Sequence, residues 1–85
     1  MTRTEITNKI NSINREIFIV GQAMRNVEFN VEKGALTAAD GLARRRELRA
    51  EMVPLKAARA EFRKLKASTP LASVDFNDLV DEMNR

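Results

Sequence analysis

The strongest constraint on this sequence is a regular row of aliphatic side chains in its first third. Eight apolar residues follow one another at alternating spacings of four and three: Ile6, Ile10, Ile13, Ile17, Val20, Met24, Val27 and Val31. That alternation is the a/d pattern of a heptad repeat and places all eight on one face of an α-helix. The row, called the seam below, predicts a helix over residues 5–32. Thr4 is its expected N-cap and Gly34 the left-handed residue beyond its end.

A second helix is predicted over residues 38–67. Thr37 can cap it, and Asp40 lies near the positive end of the helix dipole. Pro54 lies inside this segment, so we expect a kink near that residue. Its apolar face is weaker than the seam and carries Leu48, Met52, Leu55, Ala58, Phe62 and Leu65. A short connection between two long helices makes them antiparallel neighbours.

The expected fold is all-α: one domain over residues 1–85, built on a long antiparallel helical hairpin with a coiled-coil-like seam. A short C-terminal helix is predicted over residues 74–83. The chain has four phenylalanines and neither Trp nor Tyr, so its core is thin for 85 residues. Small chains with thin cores are often completed by oligomerisation, and we expect two hairpins to pair into a dimeric helical bundle.

The net charge of +3 conceals an uneven distribution along the chain. Residues 43–67 carry nine basic and three acidic side chains, whereas residues 68–85 carry one basic and four acidic. Six cations of the second predicted helix recur at helical spacing and define the basic stripe: Arg45, Arg49, Lys56, Arg59, Arg63 and Lys66. Such a stripe suits an anionic partner, although a solvated helix face is the simpler interpretation.

Two apolar groups lie away from the seam and are candidate contacts with a partner or a second copy. The first is on the back of the first predicted helix: Phe18, Ile19 and Phe29. The second is on the C-terminal helix and includes Phe76 and Leu79. Exposed aromatic patches often mark contact sites, but a chain of this size needs burial, so we favour cover by the third helix or another subunit. Five asparagines of the first helix, at 8, 11, 14, 26 and 30, suit polar surface or interhelical hydrogen bonds.

Catalysis is not expected. The sequence contains no His, Cys or Tyr, and its three glycines fit no phosphate-binding loop. The acids at 75, 78, 81 and 82 do not have the spacing of a calcium loop. We therefore expect no catalytic residues, no cofactor and no metal.

The expected function is a non-enzymatic interaction protein that binds a larger protein or complex, one with an acidic surface, and regulates or inhibits it. Accessory and inhibitor proteins of phages and mobile elements are often of this kind. The alternative is a basic hairpin dimer on a nucleic-acid backbone, which is weakened by the lack of stacking aromatics. No stretch reaches the roughly 20 apolar residues of a membrane span, and the chain lacks cysteine, so no membrane partner and a cytoplasmic location are expected.

Overall fold

The computed structural model describes residues 1–69 and Met83. Its two long α-helices are α1, Arg3–Glu32, and α2, Ala38–Ser68. They pack along each other, which confirms an all-α helical hairpin. Of the helix predicted over 74–83, only Met83 is described; it is helical and exposed. Phe76 and Leu79 lie outside the described residues.

Each helix begins at a threonine whose hydroxyl accepts a backbone N–H. Thr2 Oγ1 accepts from Glu5 N at 3.1 Å, and Thr37 Oγ1 accepts from Asp40 N at 3.1 Å. The predicted cap at Thr37 is confirmed, whereas the cap of α1 is Thr2 and not Thr4. The reason is visible in the sequence: Thr2 precedes Glu5 by three residues, the capping-box spacing, and Thr4 has no acid at that distance.

The connection between the helices closes with backbone hydrogen bonds. Gly34 has φ +78°, the left-handed conformation expected of it. Ala35 N donates to Asn30 O at 2.9 Å and Gly34 N to Val31 O at 3.1 Å. This pair of bonds is the Schellman motif, which satisfies carbonyls at the end of α1. A glycine is needed here because a side chain at positive φ costs roughly 1–2 kcal/mol.

The seam of α1 faces α2 along its whole length, but it is unevenly buried. Ile6 at the open end is 0% exposed, and Val27 and Leu48 nearer the turn are 8% and 2% exposed. The middle of the seam, by contrast, is half-buried: Ile10, Ile13, Ile17, Val20 and Met24. Burial along the seam is therefore complete at Ile6, nearly complete at Val27 and partial between them.

Near the turn the helices approach closely at Gly41. This residue is buried, and a Cβ built on it would overlap Cγ2 of Val31. At the open end, Arg3 Nη1 of α1 donates to the carbonyl of Lys66 at 2.8 Å and to that of Thr69 at 3.3 Å. The two helices thus approach closely at Gly41 near the turn, and the hydrogen bonds of Arg3 link them at the other end.

Helix α2 continues through Pro54 as one element. Proline has no N–H, so the carbonyl of Ala50 loses its usual donor one turn later. Within the described residues, neither helix has an apolar stretch that could cross a bilayer.

Candidate interaction surfaces

The basic stripe does not form a single solvent-exposed row. Three of its members are half-buried at the contact between the helices: Arg45, Arg59 and Lys66. The other three are exposed: Arg49, Lys56 and Arg63. The basic stripe follows from the spacing of cations along α2 alone. That spacing includes positions at which α2 contacts α1.

Two of the half-buried cations contact polar groups of α1. Arg45 Nη2 lies 3.3 Å from Glu28 Oε1, and Arg59 Nη1 donates to Asn14 Oδ1 at 3.1 Å. Fourteen residues separate the two contacts along each helix, so the antiparallel register is constant over about four turns. The Asn14 contact confirms an interhelical role for one of the five asparagines. Arg45 and Arg59 therefore join the helices.

The exposed cations Arg49, Lys56 and Arg63 recur every seven residues and define what we call the basic flank. Seven residues are close to two helical turns, so neighbouring members lie about 10.5 Å apart along the axis. The α1 positions on this side are 7, 14, 21 and 28, and Glu28 is the sole acid among them. Because Glu28 contacts Arg45, none of these four α1 positions supplies a further negative charge to balance the flank.

The three apolar candidates of α1 are exposed in the single chain. Phe18 is 60%, Ile19 65% and Phe29 55% exposed. The ammonium of Lys33 lies 4.8 Å from the centre of the Phe29 ring, a cation–π contact. Helical periodicity puts Phe18 and Phe29 toward the basic flank and Ile19 toward the opposite side. Phe18 and Ile19 nevertheless border one shallow depression, whereas Phe29 lies about three turns further along α1.

On the side of Ile19, both helices line a shallow apolar groove. Its lining residues are Glu16, Ile19, Val20, Glu51, Pro54 and Leu55, and we call it the Ile19 groove. A smaller depression shares Ile19 and is lined by Asn14, Arg15 and Phe18. The sequence prediction included Ile19 but missed the other lining residues of the groove. The groove can be recognised in the sequence only after the two helices are aligned in register, because Glu16 and Glu51 belong to different helices.

Among residues 1–69 and Met83, no group of three or more acidic side chains converges as a metal site would require. The acids of the predicted C-terminal helix lie outside these residues. The described chain thus belongs to the class of two-helix hairpins. In comparisons with known proteins, no family model, curated protein or solved structure matches it significantly.

Proposed function

We propose that this chain is a cytoplasmic, non-enzymatic interaction protein that binds a larger protein and regulates or inhibits it. The observation that carries the proposal is the open architecture of the hairpin. Domains normally bury their apolar faces between two packed layers, whereas the two helices of residues 1–69 form a single layer.

A standard protein interface buries roughly 800 Å² of each partner. The half-buried seam, with the exposed Phe18, Ile19 and Phe29 on the same helix, is the apolar surface that a partner would cover. A second molecule that covers the half-buried seam would supply the missing layer. The charge of the basic flank favours a partner with an acidic surface, because rim charges of opposite sign accelerate encounter and set orientation. Arg49, Lys56 and Arg63 are the proposed contacts.

The test replaces the basic flank while preserving the contacts between the helices. The triple variant Arg49→Gln, Lys56→Gln, Arg63→Gln should weaken binding to a partner identified from the host by about tenfold. Three exposed ion pairs contribute up to about 1 kcal/mol each. Circular dichroism should show unchanged helicity, because all three side chains are exposed.

The matched control removes the same charge at exposed positions away from the basic flank: Lys9→Gln, Arg15→Gln and Arg44→Gln. Arg44 pairs locally with Glu47, Arg15 donates to Ser12, and helical periodicity places all three away from the basic flank. The control should bind within about twofold of the natural chain if position matters, since distant exposed charges are largely screened. If both triple variants weakened partner binding equally, net charge rather than position would explain the effect, and the proposal would be contradicted.

The second candidate function is binding to a nucleic-acid backbone, which the regular spacing of the basic flank favours. Three phosphate contacts give a slope of log affinity against log salt of about −2.7, and six give about −5.4. Because three members of the basic stripe are half-buried at the contact between the helices, the hairpin should show the slope of about −2.7 on duplex DNA. The triple Gln variant should abolish it.

A second copy of the chain would also cover the half-buried seam, and we therefore propose a homodimer. Two hairpins stacked through their half-buried seams would form a four-helix bundle.

A further inference from the structure

The Ile19 groove combines an apolar floor with negatively charged edges. Ile19 and Val20 come from α1, and Pro54 and Leu55 from α2. Glu16 and Glu51 lie on the two helices that border it, and both are exposed. No cation is among the residues that line this groove. The sign of its charge is thus opposite to that of the basic flank.

Two further features lie near this groove, a free backbone acceptor and a neighbouring arginine. Pro54 leaves the Ala50 carbonyl without its usual intrahelical donor, so an acceptor is available on the same stretch of α2. Arg15, in the neighbouring depression, donates from Nη2 to Ser12 Oγ at 3.2 Å. A serine hydroxyl does not neutralise this guanidinium, so one positive charge lies beside the neighbouring depression and outside the residues that line the Ile19 groove.

We propose that the Ile19 groove docks a basic amphipathic helix of a partner protein. An apolar side chain of that helix would lie between Ile19 and Pro54, and flanking Lys or Arg side chains would reach Glu16 and Glu51. Helix-in-groove recognition of this kind uses one apolar stripe with charges beside it. The hairpin would then be an adaptor with contact surfaces of opposite charge on its two sides.

Charge also distinguishes this occupant from a second copy. Two hairpins related by a two-fold axis at this groove would bring four carboxylates to one interface, and like charges oppose such pairing. The inference does not depend on the proposed function, because that function was assigned to the opposite flank and has its own variants.

The probe is a fluorescent peptide of about 18 residues, roughly five helical turns, built from Leu, Ala and Lys with one leucine stripe. A second peptide carries Gln in place of Lys. At low ionic strength the Lys peptide should bind the full chain at least about tenfold more tightly than the Gln peptide by anisotropy. The double variant Glu16→Gln, Glu51→Gln should weaken the Lys peptide by about fivefold or more, since two rim charges are removed.

Two matched controls localise the effect. Glu32→Gln with Glu61→Gln removes the same charge outside the groove and should leave affinity within about twofold, because distant exposed charges are screened. Ile19→Ser should weaken the peptide, whereas Val53→Ser should not; these side chains are comparably exposed, 65% and 68%, and Val53 does not line the groove.

The proposal would be overturned if the Lys and Gln peptides bound with equal affinity. It would also be overturned if neither the Glu16/Glu51 double variant nor Ile19→Ser changed the affinity for the Lys peptide. Sedimentation under the same conditions provides another decisive outcome. A dimer that Ile19→Ser dissociates would assign the groove to a second copy instead.

Discussion

At the scale of single residues, the two glycines inside the helices have opposite environments. Gly41 is buried against Val31, where a Cβ has no room. Gly21 has only Arg25 Nη1 near the same position, at 4.0 Å. Glycine lowers helix stability by about 1 kcal/mol relative to alanine, so its presence at Gly41 is explained by the close approach of the helices.

We expect the two glycine-to-alanine substitutions to change stability in opposite directions. Gly41→Ala should lower the free energy of unfolding by about 1–2 kcal/mol, because overpacking of about 1–3 kcal/mol exceeds the gain in helix propensity. Gly21→Ala should raise it by about 0.5–1 kcal/mol. Urea denaturation of both variants measures this. A stabilising Gly41→Ala would show that the helices can separate there without loss.

The sequence predicts residue roles well where they depend on near neighbours. Thr37 and Gly34 were identified from a few adjacent residues, and Thr2 could have been identified from its spacing to Glu5. Arg45 could not. Its contact with Glu28 depends on the register of two helices, and its buried Nε lacks a partner among the described residues. An unpaired buried donor costs about 1–3 kcal/mol, so Arg45 is a structural compromise that periodicity alone does not reveal.

At the scale of the helices, the row from Ile6 to Val31 predicted α1 because its pattern is complete. The contact face of α2 is mixed, and its sequence gives a weaker signal. Gly41, Arg45, Leu48 and Met52 continue the four-three spacing, but only two of these four are large and apolar. The sequence therefore predicts the basic stripe as a separate surface, although half of its members lie at the contact with α1.

Pro54 provides a prediction for helix α2. Pro54→Ala should raise the free energy of unfolding by about 1–2 kcal/mol. Proline inside a helix is about 3 kcal/mol less favourable than alanine, and its restriction of the unfolded chain offsets part of that. Thermal denaturation followed at 222 nm (the usual helical signal) is the measurement. Val53→Ala, at an exposed neighbour, serves as control and should gain at most a few tenths of a kcal/mol. A loss of stability in Pro54→Ala would mean that the proline ring packs favourably where it lies.

At the scale of the whole molecule, the two flanks differ in the charge near their centres. Arg49, Lys56 and Arg63 lie on the basic flank, and Glu16 and Glu51 border the Ile19 groove on the other side. A two-fold dimer formed through either flank brings like charges together. Salt screens such repulsion, with a Debye length of about 8 Å at physiological ionic strength and about 3 Å at 1 M. The proposed homodimer should therefore become tighter as salt increases.

Sedimentation equilibrium at micromolar concentration, from low to high salt, tests this expectation. The fraction of dimer should rise with ionic strength, and the triple Gln variant of the basic flank should reduce the salt dependence if that flank is the interface. A monomer at every salt concentration would refute the dimer. Dissociation by salt would instead indicate an interface joined by opposite charges.

The constant register has a consequence for how the hairpin forms. Contacts nearest the Schellman turn join residues that are close in sequence, and each later contact closes a loop only slightly larger than the one before. Because the entropy of loop closure grows slowly with loop length, every step outward adds little to the cost. Proteins with such local contacts fold fast. Assembly can proceed from Gly34 toward the open end, where Arg3 meets the carbonyls of Lys66 and Thr69 in the last step.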